Sequence, residues 1–254
     1  MHNNAIKSNP QLRNVGNLGD IIKHAALINL AKLLISRSKA RLAYIETHAF
    51  MLEAPCPNPE QWMIDTAAER MKHLAYGDYF TIEKRVTDNL PYRCSAGLVI
   101  DELTKSNIAD PVLILAEKDA ATRNILKTQL IRNQITKYTV LENAFHLSSQ
   151  KIPDDIDALL VLVDPFVLDN VLWNDLVEAF NQIIKPGIEM ALELFTFDAG
   201  QTIIEWPTPP RGMFGPISVM HRQPYHLAVY TTEGFRISAA ECCQSLGWKS
   251  SVTI

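Results

Sequence analysis

The amino-acid sequence predicts an α/β domain built on a mostly parallel sheet. Apolar runs alternate with segments of helical period, and the runs are rich in Leu, Ile and Val with little polar alternation. Strands that are covered by helices on both faces have this unbroken apolar character. At 254 residues, with 47% apolar and 20% charged residues, the composition excludes disorder as the dominant state and favours one domain over residues 1–254.

The elements follow one another in the order expected of βαβ units. Five buried strands are predicted at residues 41–46, 111–116, 138–141, 158–163 and 189–195, and helices at residues 20–36, 120–133 and 170–184. Residues 206–216 contain four prolines and two glycines and are predicted to form a stiff loop. Strands at 217–221 and 227–232, a helix at 237–246 and a strand at 249–254 complete the chain. Residues 55–90 are too long for a simple crossover and predict an inserted helical subdomain, with a helix at 62–74.

Location and metal content are predicted from what the composition lacks. No stretch reaches 18 uncharged apolar residues, and the first ten residues, MHNNAIKSNP, lack the apolar core of a secretory signal. We therefore expect a cytoplasmic protein without a membrane partner. Four cysteines in so long a chain form no disulfide framework, and no C-x-x-C pair suggests zinc, so we expect free thiols and no metal.

Positive charge is concentrated near the start of the chain. Residues 1–45 carry one acid and seven basic residues, whereas the remainder has 17 basic and 27 acidic residues. A basic face is typical of proteins that bind a nucleic-acid backbone, but a solvated helix with its loops explains the pattern equally well. The basic residues are Lys7, Arg13, Lys23, Lys32, Arg37, Lys39 and Arg41.

Polar side chains follow four of the predicted strands. These are Glu46-Thr47-His48, Glu117-Lys118-Asp119, Asn143, and Asp164-Pro165-Phe166. In open parallel sheets, ligands bind outside the carboxyl ends of the strands, and an acid after the second strand can accept both hydrogens of a ribose diol. Glu117 suits that role, although Glu117 or Asp119 could equally cap the helix that begins near residue 120.

A second polar group precedes the first strand. In the segment GNLGDIIKH, two glycines run into a helix whose first turn carries Asp20, Lys23 and His24. Residues three or four positions apart share one face of a helix. These three side chains are therefore expected to point in about the same direction, although Asp20 and Lys23 alone could form an ordinary surface ion pair.

The segment NVGNLGDIIKHAAL, followed by YIETHA, resembles the bacterial 23S ribosomal RNA adenine-N6 methyltransferases. Their N-terminal motif reads approximately H-A-G-N-x-A-D-x-x-K-H, before a strand that ends in D-T-H-A. The resemblance extends from about residue 11 to residue 248. It implies a class I methyltransferase fold, which is a mostly parallel Rossmann-like sheet with an inserted helical subdomain, and the cofactor S-adenosylmethionine.

The resemblance also implies residue roles. Lys23 and His24 would lie by the methionine moiety, with Thr47 and His48 nearby, and Ser95 would contact the methionine tail. Glu117 would hold the ribose, and Asn143 stands where the family has an acid after the third strand. Asp164 and Pro165 match the start of the D-P-P-Y motif, so Asp164, Pro165, Phe166 and His24 are the catalytic candidates, with His48 as a further proton acceptor.

The chain departs from the family at two places. Where the family continues T-H-A-G-A-G, this sequence has Phe50-Met51-Leu52 after Ala49, so the glycines that let the backbone approach the cofactor are replaced by bulky side chains. D-P-P-Y has become Asp164-Pro165-Phe166-Val167. Valine cannot stack on a flipped adenine as the family's tyrosine does.

These departures favour methyl transfer from S-adenosylmethionine to a small-molecule nucleophile over methylation of 23S ribosomal RNA adenine. Two further hypotheses stay open: an intramolecular reaction that consumes S-adenosylmethionine, of cyclase or lyase type, and a non-catalytic descendant that binds a nucleoside or a protein. A continuous basic face leading to an open Asp164 pocket would favour RNA. A closed pocket roofed by Phe50 and the 206–216 loop would favour a small molecule.

Overall fold

The computed structural model describes residues 15–38, 41–57, 62, 84–106, 108, 110–165, 168, 170–197, 206–222 and 224–251. Its helices are α1 (Leu18–Arg37), α2 (Ser95–Lys105), α3 (Ala120–Arg132), α4 (Asn170–Ile183) and α5 (Arg236–Ser245). Short 3-10 helices cover Ala144–Ser149 and Glu233–Phe235. The strands are β1 (Leu42–Glu46), β2 (Glu53–Ala54), β3 (Tyr92–Arg93), β4 (Val112–Ala116), β5 (Tyr138–Leu141), β6 (Ala158–Val163), β7 (Glu189–Phe197), β8 (Met213–Arg222), β9 (Tyr225–Thr232) and β10 (Lys249–Ser250).

Eight of these strands form one sheet in the order β10-β8-β9-β7-β6-β1-β4-β5. Strands β5, β4, β1, β6 and β7 are parallel, and β9 runs antiparallel to both of its neighbours. The chain order reverses beside β1, which pairs with β4 on one side and β6 on the other. Such a switch point opens a crevice at the carboxyl edge of the sheet. The prediction of a mostly parallel α/β sheet is confirmed.

Two apolar layers sandwich the sheet. One contains buried residues of α1, α2, α3 and α5, and the other contains those of α4 and the Ala144–Ser149 helix. All five residues of β1 and all six of β6 are buried, as their lack of polar alternation predicts. The long helix α1 begins where Asn17 caps it by accepting a hydrogen bond from the Asp20 amide, so its polar first turn faces the carboxyl edge.

Helix α2 is absent from the sequence prediction. Its apolar residues Ala96, Val99, Ile100 and Leu103 follow helical spacing and are all buried. A Cβ atom on Gly97 would lie 2.3 Å from the Leu52 carbonyl oxygen. The helix therefore packs directly on the backbone that follows β1, and its low intrinsic propensity at Gly97 is outweighed by this tertiary contact.

The proline-rich segment is shorter than predicted, because residues 213–216 belong to strand β8. The pairing of β8 with β9 is irregular between Phe214 and Ser218, and this accommodates Pro216, which has no amide hydrogen to donate. Gly215 has φ +143°, and a Cβ there would lie 2.8 Å from the Tyr230 ring. Glycine is therefore required at this irregularity.

Most of the predicted 55–90 subdomain, including the 62–74 helix, lies outside the described residues. Residues 84–87 are helical, and the subdomain stays a prediction. Among the residues that are described, no helix is both long and apolar enough to cross a membrane.

Candidate active site

A cavity of about 510 Å³ lies at the carboxyl edge of the sheet, where the strand order reverses. Its volume is within the range of ordinary small-molecule sites. It brings together nine of the residues that the sequence singles out: Lys23, His24, Thr47, His48, Ser95, Glu117, Asn143, Asp164 and Pro165. Phe166, the remaining catalytic candidate, lies outside the described residues, as does Val167. The spatial grouping agrees with the sequence prediction, and the individual roles stay predictions.

The first turn of α1 contributes to the cavity wall an ion triad in which Lys23 is buried and the two carboxylates are partly exposed. The Lys23 ammonium lies 2.6 Å from Asp164 Oδ2 and 3.0 Å from Asp20 Oδ1. Asp20 Oδ2 accepts a hydrogen bond from the Gly16 amide at 2.8 Å. Burial disfavours the charge on Lys23, but Asp164 and Asp20 outweigh it and raise the lysine pKa. The expected alignment of Asp20 and Lys23 is thus present, but the pair lines the cavity and is shared with Asp164 rather than on the surface.

The two carboxylates of this triad differ in their environments. Burial raises the pKa of Asp164 despite the adjacent Lys23. For Asp20, burial acts in the same direction, but Lys23, His24 and the Gly16 amide lower the pKa below its usual value. Asp164 is consequently the better proton acceptor of the two.

His24 belongs to a buried chain of hydrogen bonds. Its Nδ1 lies 3.1 Å from the Tyr92 hydroxyl and its Nε2 lies 3.1 Å from the Ser95 hydroxyl. Ser95 also favours the charged form of Glu46, which accepts a hydrogen bond from the Tyr44 hydroxyl at 2.9 Å. Burial lowers the His24 pKa to about 3. Both ring nitrogens are engaged and the ring is neutral, so this geometry favours a positioning role over proton acceptance from a substrate.

Glu46, which ends β1, lines the cavity and is a functional candidate to which the sequence analysis gave no role. Burial raises its pKa to about 7, although Lys23 and the Tyr44 hydroxyl oppose the shift. The signal that could have found it is its position, since it is the first polar residue after an apolar strand at the switch point.

His48 is held at the same edge by its neighbour. The Thr47 hydroxyl lies 2.7 Å from His48 Nδ1, and the Thr47 amide donates to the Leu162 carbonyl at 3.0 Å. Burial lowers the pKa of His48 to about 4. The imidazole is therefore neutral at physiological pH, and unlike His24 it has no second hydrogen-bond partner among the described residues.

The structure distinguishes the two roles expected for the acids after β4, which are binding a ligand and capping the next helix. Asp119 is the residue that caps α3, because its side chain accepts from the Thr122 amide at 2.7 Å. Glu117 is buried against the cavity and accepts from the Asp119 amide at 2.6 Å. Burial raises the Glu117 pKa to about 7. With capping supplied by Asp119, the Glu117 carboxyl faces the cavity without that structural task.

Asn143 follows the neighbouring strand β5 by two residues and lines the same cavity. Its side-chain Oδ1 is buried and has no hydrogen-bond partner among the described residues. A buried carbonyl oxygen without a donor is costly in a folded protein. A ligand that brings an N–H or O–H group to this end of the cavity would satisfy it.

The bulky residues that replace the glycines do not fill the cavity. Met51 and Leu52 turn into the apolar core, and Phe50 alone of the three lines the cavity. The Leu52 amide donates to Gln129 Oε1 at 2.8 Å, and Gln129 Nε2 donates to the Glu53 carbonyl at 2.8 Å. The chain after β1 is thus drawn toward α2 and α3.

The other part of the expected roof is not observed. Residues 206–211 do not line the cavity. They pack elsewhere, because Trp173 donates to the Thr208 carbonyl at 2.8 Å and the Arg211 amide donates to Asn181 Oδ1 at 2.6 Å. In the described structure the 206–216 loop therefore does not close over the pocket.

Three aromatic residues and one acid lie at or behind the cavity wall, and the sequence analysis did not single them out as site residues. Phe195, Phe197 and Tyr225, from β7 and β9, line the cavity beside Asp164. Glu193 lies behind them on β7, is 0% exposed, and neither of its carboxyl oxygens has a hydrogen-bond partner in the described structure. Alternation along β7 could have indicated a shared face for residues 193, 195 and 197, but not what they meet.

The remaining histidines do not form a metal centre in the described part of the chain, where no group of three or more His, Cys, Asp or Glu side chains could hold an ion. His221 and His226 face each other across β8 and β9 with 3.0 Å between their Nδ1 atoms. The four cysteines are free.

Comparisons with known proteins match the fold. No family model matches the chain, and no curated protein does. Protein LPL1258 from Legionella pneumophila, described under the family model DUF519, superposes with a TM-score of 0.60 at 16% identity over 90% of each chain. A putative methyltransferase from Escherichia coli gives 0.43 at 13% identity over 75% of each chain. An rRNA methylase from Streptococcus thermophilus gives 0.43 at 9% identity over 81% of this chain and 96% of that one.

At these identities the comparisons bear on architecture and not on activity. The described strand order and the Legionella superposition agree on one arrangement of the chain. The narrower resemblance to the ribosomal RNA adenine-N6 methyltransferases finds no family match and stays a hypothesis. The chain has a mostly parallel, Rossmann-like α/β fold.

Proposed function

We propose that the cavity binds S-adenosylmethionine and that the protein transfers the cofactor's methyl group to a small-molecule nucleophile. The observation that carries the proposal is the pair of polar groups on adjacent strand ends, Glu117 and Asn143. The Glu117 carboxyl is buried against the cavity with its helix-capping task taken by Asp119, and the buried Asn143 Oδ1 has no donor in the described structure.

These two side chains fit the nucleoside half of the cofactor. The Glu117 carboxylate would accept the two hydrogens of the ribose diol, and Asn143 Oδ1 would accept a hydrogen from the adenine amine. The methionine half would reach Ser95 and the first turn of α1, where His24 orients the Ser95 hydroxyl at 3.1 Å. When bound, S-adenosylmethionine supplies an electrophilic methyl group on a positively charged sulfur.

The chain's own residues would then hold the acceptor and take its proton. Asp164 lies on the opposite side of β1 from Glu117, so an acceptor beside Asp164 is expected to approach the cofactor from the β6 side. The Lys23 ammonium fixes Asp164 Oδ2 at 2.6 Å. Because the pKa of Asp164 is raised by burial, its carboxylate is suited to accept a proton as the acceptor becomes nucleophilic.

The 206–216 loop does not form the roof that was expected over a small-molecule pocket, but two other observations support a small acceptor. The cavity, at about 510 Å³, must hold the cofactor as well as the acceptor. Three of the N-terminal basic residues described beyond the site have acidic partners: Lys32 pairs with Glu102 at 3.8 Å, Arg37 with Glu189 at 2.6 Å and Arg41 with Asp155 at 3.0 Å. Arg37 also ends α1, about 20 Å along the helix from Lys23 at 1.5 Å per residue.

The competing hypothesis is methylation of adenine in ribosomal RNA. It is favoured by the position of Asp164 and Pro165 at the cavity, which matches the start of the family's D-P-P-Y motif. Lys7, Arg13 and Lys39, which would extend a basic face, lie outside the described residues. Methylation assays with ribosomal RNA from cells that lack the protein test this alternative directly.

Calorimetric titration with S-adenosylmethionine and S-adenosylhomocysteine tests cofactor binding. We expect both to bind, and Glu117→Gln to weaken binding by about 1–3 kcal/mol, the usual effect of losing a charged hydrogen-bond partner. Glu142→Gln is the matched control, because Glu142 is exposed, adjacent to Asn143, and does not line the cavity. Absence of binding at millimolar cofactor would refute the proposal and leave a nucleoside- or protein-binding descendant of the fold.

A further inference from the structure

One end of the cavity differs in composition from the end that contains Glu117 and Asn143. This acceptor end lies on the β6 to β9 side, away from Glu117 and Asn143, and combines carboxylates with aromatic rings. Three strand spacings separate β4 from β7 in the sheet order, which is roughly 14 Å at about 4.8 Å per spacing. The acceptor end is formed by Asp20, Lys23, Asp164, Phe195, Phe197 and Tyr225.

The aromatic rings of the acceptor end are held in fixed positions. Phe195 and Tyr225 stack with 5.9 Å between ring centroids, and Phe197 meets Tyr225 edge-on at 5.9 Å. Gly19 lets these rings approach α1, since a Cβ there would lie 2.6 Å from Tyr225 and 2.9 Å from Phe195. The packing of these rings on one another and on α1 therefore defines the shape of this wall.

An ammonium group already occupies part of this wall. Lys23 Nζ lies 5.1 Å from the centroid of Phe195 while it contacts both Asp20 and Asp164. Aromatic faces and carboxylates together are the surroundings that stabilise a desolvated cation. The same surroundings continue toward Tyr225 and into the cavity, where the Asp164 side chain is 18% exposed.

The acceptor end also has more acids than bases. Asp20 and Asp164 both contact the Lys23 ammonium, at 3.0 Å and 2.6 Å. Among the described residues that form this end, Lys23 is the one cation that the two carboxylates share. A second cation in the cavity would reduce the repulsion among them, whereas an anionic acceptor would increase it.

We infer that the acceptor is a small amine that enters the acceptor end as its ammonium ion, an inference that rests on the proposed methyl transfer. The ammonium donates to Asp164 and packs against Tyr225 and Phe197. Its proton passes to the Asp164 carboxylate, which becomes a carboxylic acid. The freed nitrogen lone pair forms a bond to the methyl carbon, the carbon–sulfur bond breaks with its electron pair on sulfur, and the products are a methylated ammonium ion and a neutral thioether.

Binding of amines and their uncharged isosteres tests the inference. The amine probes are benzylamine and n-butylamine, their uncharged isosteres are benzyl alcohol and n-butanol, and adenosine represents the competing class of acceptor. Each is titrated at pH 7.5 into the free protein and into the protein saturated with S-adenosylhomocysteine. We expect the amines to bind at least about tenfold more tightly than the alcohols, consistent with hydrogen bonds to a charged group. Asp164→Asn, which keeps an oxygen for Lys23, should weaken amine binding by about tenfold or more and leave alcohol binding unchanged.

A second pair of variants separates the aromatic contribution. Tyr225→Leu should weaken amine binding several-fold, as loss of a partly desolvated cation–π contact does. Phe214→Leu is the control, because that ring is exposed and lies under Arg236 outside the cavity. Equal binding of amines and alcohols to both forms of the protein would overturn the inference, as would tighter binding of adenosine than of the amines.

Failure of the inference is distinguishable from failure of the proposed function. If S-adenosylhomocysteine binds but the amines do not exceed the alcohols, the cofactor site stands and the amine acceptor is rejected. If S-adenosylhomocysteine does not bind, methyl transfer is rejected, and with it an amine as methyl acceptor. When amines bind the loaded protein, incubation with S-adenosylmethionine carrying a labelled methyl group should yield the methylated amine, and Asp164→Asn should reduce that yield.

Discussion

Replacing Glu193 with methionine should stabilise the protein. Glu193 lies in the middle of β7, is 0% exposed, and neither carboxyl oxygen has a hydrogen-bond partner in the described structure. Burial raises its pKa well above 4.5, despite attraction to Lys23. The folded protein therefore keeps a neutral acid in an apolar layer, where methionine, of similar length and without polar atoms, would pack equally well.

The magnitude follows from the two unsatisfied oxygens. Mutational data place the cost of a buried polar group without a partner at about 1–3 kcal/mol. Removing it by Glu193→Met should raise the free energy of unfolding by about that amount. For a domain of this size, each 1 kcal/mol corresponds to about 2–4 °C in Tm.

Urea unfolding followed by circular dichroism measures the effect across pH. In the unfolded chain Glu193 loses its proton near pH 4.5, whereas the folded chain retains it to higher pH. The contribution of Glu193 to stability therefore falls as pH rises above about 4.5. The advantage of Glu193→Met should accordingly grow with pH from that point until the folded carboxyl ionises.

Glu189→Met is the matched control on the same strand. Glu189 is partly exposed and pairs with Arg37 at 2.6 Å, so its replacement should destabilise the protein by about 0–1 kcal/mol. The reasoning is refuted if Glu193→Met unfolds at a lower urea concentration than the natural protein, or if its advantage does not change between pH 4.5 and pH 7.

Three further predictions concern the site and its support. Affinity for S-adenosylhomocysteine, measured by calorimetry, should rise about tenfold from pH 6 to pH 8, because Glu117 has a pKa of about 7 and ionises over this range. Glu117→Gln should remove this pH dependence. A pH dependence that survives in the variant would contradict the ribose-binding role of Glu117. Gly97→Ala places a Cβ 2.3 Å from the Leu52 carbonyl oxygen and should lower the free energy of unfolding by about 1–3 kcal/mol in thermal melts. Gly234→Ala is the control: its Cβ would lie 3.6 Å from the nearest atom, so the same melts should show little change. Gln129→Leu removes hydrogen bonds to the backbone before and within β2 and should lower stability by about 1–3 kcal/mol in urea; an unchanged midpoint would show that these bonds are replaced by water.

The strands were predictable because their signal is local. Runs such as residues 158–163 contain no polar residue, and a strand of this composition must be covered on both faces. The same argument fails for α2, whose sequence SAGLVIDELTK includes residues of weak helical preference. Its place against the backbone after β1 makes it a helix, and that contact is not visible in the sequence.

The candidate site was predictable in its members but not in their partners. Parallel strands end at one edge, so polar residues after four of them meet there, and Glu117 and Asp164 are found in one cavity. The contact of Lys23 with Asp164 joins residues 141 positions apart. Tyr225 reaches the cavity from a hairpin that sequence reasoning treated as unrelated to the site.

The sequence by itself determined the order of the elements, the polar character of the strand ends and the polar first turn of α1, because periodicity and capping act over a few neighbouring residues. The tertiary structure decided which carboxyl groups share the Lys23 ammonium, which side chains replace the missing glycines without filling the cavity, and which buried oxygens lack a partner. Burial and electrostatics depend on groups brought together from distant parts of the chain. The protonation and pairing of the groups at the carboxyl edge therefore follow from the folded sheet and not from the sequence alone.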